Sequence, residues 1–360
     1  MDVRDFDFDL PTELIAQEPA ARGSSRLLHL ERATGAVAHT RIESLPDLLR
    51  AGDLLVVNNT KVFPARLLGR RVPTGGSVEC LLIHRCQARA RHVPGTDGTE
   101  SADEWEALMH PGQKLTPGAR VVFEGIHTIH GEVLERRFFG RRLIRLWTDD
   151  GSTVDDAVDA IGHVPLPPYI KRPDRPDDRG RYQTVFARDR GSVAAPTAGL
   201  HFTPALLAEL AARGVERAEV TLHVGYGTFQ PVRVTRVEDH RVESESFAIG
   251  EAAAVAINRA LDEGRRVVAV GTTTTRALES VAAGHAGRIA PGSGETDLFI
   301  YPGFTFRVVG GLLTNFHLPQ SSLLMLVCAF GGQTRVLDAY RAAVAAGYRF
   351  YSYGDAMLLT

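Results

Sequence analysis

Val268-Ala269-Val270-Gly271-Thr272-Thr273-Thr274-Thr275-Arg276 is the stretch from which the fold is read. A short apolar run before a glycine reads as a buried strand. The glycine then opens a segment of hydroxyl side chains that continues as an apolar-striped helix through Val281. A strand that turns at once into a helix is the unit of an α/β domain. The same texture extends outward from this point. Residues 252–261 precede it as a helix and 219–224 as a strand. Residues 297–300 follow as a short strand, and 323–330 and 335–345 as helices. Upstream, Thr203-Pro204 opens another helix, with Thr at the N-cap and Pro at the first helical position. Leu206, Leu207 and Leu210 supply its apolar stripe.

Further toward the N-terminus, Gly52-Asp53 leads into Leu54-Leu55-Val56-Val57-Asn58, another buried strand after a turn. From about residue 61 to 147 the texture changes. Short β-like runs at 77–83, 104–109, 120–123 and 142–147 alternate with polar or Gly-rich turns such as residues 93–98, and no helical period appears. This spacing predicts a small sheet or barrel. The segment holds 14 Lys/Arg against 9 Asp/Glu, whereas the whole chain is at −2, so this part is locally basic. A Pro-rich joint follows at 163–169. Residues 171–190, with seven basic and four acidic side chains, read as a mobile surface loop.

The chain of 360 residues favours two domains. Its three cysteines, Cys80, Cys86 and Cys328, form no C-x-x-C pair, which argues against a disulfide framework or zinc knot and for a reduced, cytosolic protein. The N-terminus lacks the basic start and apolar run of a signal peptide. The longest apolar stretch, 323–330, is far below the ~20 residues of a membrane span.

Four loops carry residue types suited to chemistry. Gly271 and the helix start at Thr272 and Thr273 offer free N–H groups and a helix dipole, an anion site that Arg276 would complete, or alternatively simple capping beside a surface Arg. This is no P-loop, since no Gly-Lys-Ser/Thr follows. In His223-Val224-Gly225-Tyr226-Gly227-Thr228-Phe229, Tyr226 or Phe229 would stack on a base. Pro231 and the missing third glycine argue against a dinucleotide loop and for a tight turn. His201 stands just before an N-cap, where the dipole keeps an imidazole neutral and able to act as a base, although a structural histidine is the plainer reading. Thr314-Asn315-Phe316-His317 gathers a hydroxyl, an amide and an imidazole ahead of an apolar helix, again either a site or a capped loop. His240, Glu243 and Glu245 could bind metal, but the interleaved Arg236 and Arg241 favour a solvated charged stretch.

Taken in order, these stretches resemble the S-adenosylmethionine:tRNA ribosyltransferase-isomerases of queuosine biosynthesis. The likeness runs nearly end to end. It includes Phe6-Asp7-Phe8-Asp9-Leu10-Pro11, Ser24-Ser25-Arg26-Leu27-Leu28, Asn58-Asn59-Thr60-Lys61-Val62 and Pro165-Leu166-Pro167-Pro168-Tyr169-Ile170. It continues through residues 195–203, the His223 loop, the Gly271 turn, residues 314–319, and Tyr348-Arg349-Phe350-Tyr351-Ser352-Tyr353-Gly354-Asp355-Ala356-Met357. The chain departs from the family pattern at Gly310, where Asp is frequent, and at Glu243, where a second His is usual.

The resemblance implies a discontinuous α/β domain (1–61 and 156–360) with an inserted small antiparallel β-barrel domain (62–155). It implies a cytoplasmic enzyme, expected as a monomer, that uses no metal and no cofactor beyond S-adenosylmethionine as co-substrate. The partner is a tRNA with 7-aminomethyl-7-deazaguanine at the wobble position, and the products are epoxyqueuosine-tRNA, adenine and methionine. On this reading His201 or His317 is the base or proton shuttle, and Asn315 orients hydroxyls. Arg276, Thr272 and Thr273 hold a carboxylate or phosphate. Tyr226 and Phe229, with His223 and Thr314, line the substrate pocket, and the tRNA lies across the basic β segment and residues 171–190. The competing readings are an S-adenosylmethionine methyltransferase, which needs a glycine-rich loop after a first strand that is not found, and a tRNA-binding protein without catalysis.

Overall fold

The computed structural model describes residues 1–90, 101–229 and 231–360. The chain divides into two compact units. One comprises Met1–Lys61, Pro167–Arg172 and Gly180–Thr360, the other Val62–Leu166 and Pro173–Arg179.

The first unit supplies β1 (Arg26–Leu30), β2 (Val37–Arg41) and β3 (Leu54–Asn58). The second supplies β4 (Arg66–Val72), β5 (Ser77–Ala90), β6 (Ser101–His110), β7 (Arg120–Phe123), β8 (Ile129–Arg136), β9 (Arg141–Thr148) and helix α1 (Val154–Ile161). The first unit then resumes with α2 (Pro204–Ala212), β10 (Glu216–Leu222), β11 (Glu245–Ile249) and α3 (Glu251–Asp262). It closes with β12 (Val267–Val270), α4 (Thr272–Gly284), β13 (Gly292–Thr296), β14 (Gly311–Asn315), α5 (Ser322–Gly331), α6 (Gln333–Ala345) and β15 (Ala356–Leu359).

Among the described residues, the first unit holds a nine-stranded sheet in the order β13-β11-β10-β3-β12-β14-β15-β1-β2. Its centre, β10-β3-β12-β14, is parallel throughout. Parallel strands covered on both faces read as unbroken apolar runs, which is why Leu54 to Val57 shows no alternation. Leu54 and Val56 pack in one core with Ile257 of α3, Leu278 of α4 and Leu324 of α5. Leu55 and Val57 pack in a second core with Leu206 and Leu210 of α2. The N-cap expected at Thr203 is formed, its side chain accepting from the Leu206 N–H at 3.0 Å.

The second unit is a closed antiparallel barrel in the order β9-β6-β5-β4-β7-β8. In β9 every second side chain is buried, the period-2 signature of a strand with one face inward. The arginines that make this segment basic are largely paired. Arg66 meets Glu79, Arg70 meets Glu124, and Arg137 and Arg141 share Glu106.

Two expectations are corrected. Residues 297–300 are not a strand. The edge strand is β13, just before them, pairing antiparallel with β11. The Thr296 hydroxyl accepts from the Leu298 N–H at 3.2 Å and turns the chain out of the ladder. Residues 171–190, expected as a surface loop, are exposed at Lys171, Arg175 and Arg188 but are anchored by buried side chains. Tyr182 is 1% exposed, its ring edge-on to Tyr353 with centroids 5.9 Å apart. Composition alone hides an aromatic anchor of this kind. Residues 93–98, read as a turn, lie outside the described residues.

Candidate active site

Because β3, β10, β12 and β14 run parallel, their carboxyl ends share one edge of the sheet. The loops that leave them carry Asn58-Asn59-Thr60, His223-Val224-Gly225, Gly271-Thr272-Thr273 and Phe316-His317. Two neighbours reach the same edge from the opposite direction. Strand β11, antiparallel to β10, begins there with Glu245, and β15 begins there with Ala356 opposite Asn315. In open α/β sheets ligands bind outside these carboxyl ends.

A cleft of about 500 Å³ opens at this edge. Gly271, Thr272, Thr273, Thr314, Asn315 and His317 are among the residues that line it. The start of α4 is shaped for an anion. Gly271 takes φ +92°, a conformation that an L side chain strains to adopt. Its backbone lies next to β14, the Gly271 N–H donating to the Leu313 carbonyl at 2.8 Å. No side chain caps the helix, because the N-cap residue is Gly271, and the hydroxyls of Thr274 and Thr275 turn back to the carbonyls of Val270 and Gly271. The first N–H groups of α4 and its dipole therefore face the cleft.

At the end of the neighbouring strand β14, Thr314 Oγ1 lies 2.9 Å from His317 Nε2. The Asn315 amide donates to the Tyr351 carbonyl at 3.0 Å, while its Oδ1 is buried with no hydrogen-bond partner. Burial pushes the His317 pKa down to about 3, so the ring is neutral. His201 is 4% exposed and held through Nδ1 by Ser25 Oγ at 2.8 Å. Burial pushes its pKa down to about 4, against a smaller opposing pull from Asp355 and Asn315. Its Nε2 makes no hydrogen bond. It lines an adjoining pocket rather than the cleft, and Ser352 lines both.

A second cleft of about 600 Å³ adjoins the first, Leu323 forming part of both walls. Arg276 lies here, apart from the helix start. Its guanidinium donates to Glu245 at 2.5 Å, to the Leu298 carbonyl at 2.9 Å and to the Thr296 carbonyl at 3.4 Å. The expected solvated stretch at 240–245 is thereby corrected. Glu245 is 5% exposed, held by Arg276 and by the Gly225 N–H at 3.0 Å, and His240 packs edge-on to Phe299. Among the described residues no group of three or more His, Cys, Asp or Glu could hold a metal ion, and no helix is long and apolar enough to cross a membrane.

The remaining candidates are dispersed. His223 lines neither cleft. Its Nδ1 lies 2.8 Å from Thr60 Oγ1, and its ring packs on Gly191, where an added Cβ would sit 2.6 Å away. Tyr226 stands in a short turn, Tyr226–Phe229, between the cleft-lining Gly225 and Gly227. The Phe229 side chain lies outside the described residues. Sequence reasoning missed Glu245 as the partner of Arg276. It also missed Tyr351 and Ser352, which close the first cleft. The one available signal was the density of polar and aromatic side chains in residues 348–357.

A sheet with a parallel centre, and a neutral imidazole, an amide and a bare helix start gathered at its carboxyl edge, is the layout of an α/β enzyme that handles a polar small molecule. The comparisons make the class specific. The family model described as "Queuosine biosynthesis protein" matches residues 3–359. S-adenosylmethionine:tRNA ribosyltransferase-isomerases from Desulfitobacterium hafniense and an Anaeromyxobacter species are 49% and 52% identical to the chain, each match covering 100% of this chain and 99% or more of the relative. The crystal structure of S-adenosylmethionine tRNA ribosyltransferase from Thermotoga maritima matches 99% of this chain and 100% of that one, with 36% identity and a TM-score of 0.53. The chain belongs to the queuosine biosynthesis protein family, and it is an enzyme of the ribosyltransferase-isomerase class.

Proposed function

We propose that the enzyme transfers and isomerises the ribose of S-adenosylmethionine onto 7-aminomethyl-7-deazaguanine at the wobble position of tRNA, in the cytosol, giving epoxyqueuosine-tRNA, adenine and methionine. The observation that carries this reading is the convergence of the α4 start, Thr314, Asn315 and His317 on one cleft. Relatives matched over their full length are named for the same pair of substrates.

The sulfonium acidifies the neighbouring ribose C5′ protons. A neutral imidazole removes one, and the ribose opens with loss of adenine, which takes up a proton. The aminomethyl nitrogen bonds to C1′ in place of adenine and gives up a proton, the C5′ carbanion closes on C1′ to form the carbocycle, and the ring oxygen left on C4′ displaces methionine from C5′ as the epoxide closes. His317 suits the base better than His201, because its ring lines the cleft that holds the helix start. The N–H groups of Thr272 and Thr273 take the methionine carboxylate, as helix starts take anions. Asn315 Oδ1, buried and unpartnered, accepts from a ribose hydroxyl. Arg276 acts on this reading through Glu245, fixing the wall of the second cleft, and the acceptor base enters the first cleft beside the helix start.

The test is incubation with S-adenosylmethionine and tRNA bearing the aminomethyl base, followed by mass spectrometry of nucleosides and small molecules. Epoxyqueuosine with equimolar adenine and methionine supports the proposal. S-adenosylhomocysteine with unchanged ribose count marks a methyltransferase, and binding without turnover by folded protein marks a tRNA-binding protein.

A further inference from the structure

Resting on the tRNA reading above, we infer that Arg22 and Arg181 form a site for a backbone phosphodiester of the RNA, beside the reactive cleft. The two side chains clamp each other's backbone. Arg22 Nη2 donates to the carbonyls of Gly180 at 3.2 Å and Gln183 at 2.7 Å. Arg181 Nη2 donates to those of Pro19 at 3.2 Å and Ala20 at 2.6 Å. Both planar forks are thus fixed before any ligand arrives.

Carbonyls hold these groups in place without neutralising them. Among the described residues neither guanidinium is paired with a carboxylate. Asp355, close in sequence to the pocket-lining Tyr353 and Gly354, is taken up by the N–H groups of Arg26 at 2.9 Å and Arg349 at 2.8 Å. Burial, and then the charge of Arg181, lower the proton affinity of Arg22. Arg22 Nη1 is buried and donates to nothing. Like charges held together with a spare buried donor define a place for an anion.

The space for one is present. A pocket of about 340 Å³ is lined by Arg22, Arg181, Ser25, His201 and Ser352, among others. His201 contributes a ring that is 4% exposed. Ser352 also lines the reactive cleft. A nucleotide whose base enters that cleft carries its own phosphates toward the adjoining pocket, with which the cleft shares Ser352. Arginine forks match phosphate oxygens, and such contacts fix the register of a nucleic acid without reading its sequence.

The experiment compares the unaltered enzyme with Arg181→Gln and Arg181→Lys. It follows the KM for modified tRNA across a salt series and S-adenosylmethionine affinity by calorimetry without tRNA. With R181Q the tRNA KM is expected to rise about tenfold, and the log–log salt slope to become shallower by about one, with S-adenosylmethionine affinity unchanged. R181K is expected to keep the wild-type slope. A wild-type slope in R181Q overturns the site, as does a loss confined to S-adenosylmethionine affinity, which would mark the pocket as the methionine carboxylate site. Should R181Q melt early, equal slopes in R181K and wild type with equal loss of tRNA affinity in both variants would mark Arg181 as a backbone clamp only. Failure of the tRNA reading is separately visible, because the unaltered enzyme would then produce no modified nucleoside.

Discussion

His317 Nε2 and Thr314 Oγ1 lie 2.9 Å apart, both buried, at the end of β14, in the cleft that the start of α4 also lines. The hydroxyl orients the ring, and the surrounding apolar core keeps it uncharged. His317→Ala should lower kcat by about 10²–10⁴-fold, the usual worth of a placed proton-transfer group, while S-adenosylmethionine affinity changes by less than about threefold. Since burial depresses its pKa to about 3, the ring stays neutral from there upward. The kcat/KM profile should therefore show no acid limb near the ordinary histidine value of ~6.5 that this substitution removes. Such a limb, abolished in the variant, would contradict the assignment.

The Arg276–Glu245 pair is nearly sealed from water. Removing one partner from a buried pair leaves the other charge uncompensated, which costs about 3–5 kcal/mol. Arg276→Ala should lose that much in urea denaturation. Arg276→Met combined with Glu245→Gln should recover part of it, because no lone charge then remains. Equal losses in the single and double variants would show that the pair is not the source of the cost.

Gly271 joins β12 to α4 at φ +92° and ψ +154°. An added Cβ would make only ordinary contacts, with Ala198 Cβ at 3.7 Å and Thr273 Oγ1 at 3.8 Å, so the cost of Gly271→Ala is backbone strain rather than collision, about 1–3 kcal/mol. If the strain is relieved by moving the helix start, the KM for S-adenosylmethionine rises while that for tRNA holds. Thermal melting and paired KM measurements check both parts.

His201 links folding to pH. Its folded pKa is depressed to about 4, chiefly by burial, against ~6.5 unfolded. Between those values the unfolded chain binds the extra proton, so stability is full above about pH 6.5 and is lost as pH falls toward 4. Between about pH 7 and pH 5 the unaltered protein should lose roughly 2 kcal/mol more than His201→Asn. Parallel losses would show that His201 is not buried as a neutral ring.

Much of the α/β unit was legible because strand, glycine and helix start follow one another within a few residues at Val268 to Thr275, and because Leu54 to Val57 is apolar on both faces. Strands β4 and β8 escaped notice, since the paired leucines, Gly69 and paired arginines of β4 break the alternation, and in β8 a His, a Gly and two Glu interrupt the apolar residues. Within the site, Thr272, Thr273, Thr314, Asn315 and His317 stand on two adjacent parallel strands' ends, so short motifs sufficed to collect them. Glu245 and Arg276 are 31 residues apart, and only the antiparallel return of β11 beside β10 brings that carboxylate to the edge. Tyr351, at φ +74°, is likewise placed by the approach of β15, which no local pattern announces.

The most direct test of the account follows the carbon atoms. Enzyme is supplied with modified tRNA and S-adenosylmethionine labelled with ¹³C either throughout the ribose or on the methyl group, and the wobble nucleoside is isolated. All ribose carbons are expected in the nucleoside, the methyl label is expected to leave with methionine, and His317→Ala is expected to slow both together. Methyl label in the tRNA with release of S-adenosylhomocysteine would contradict it.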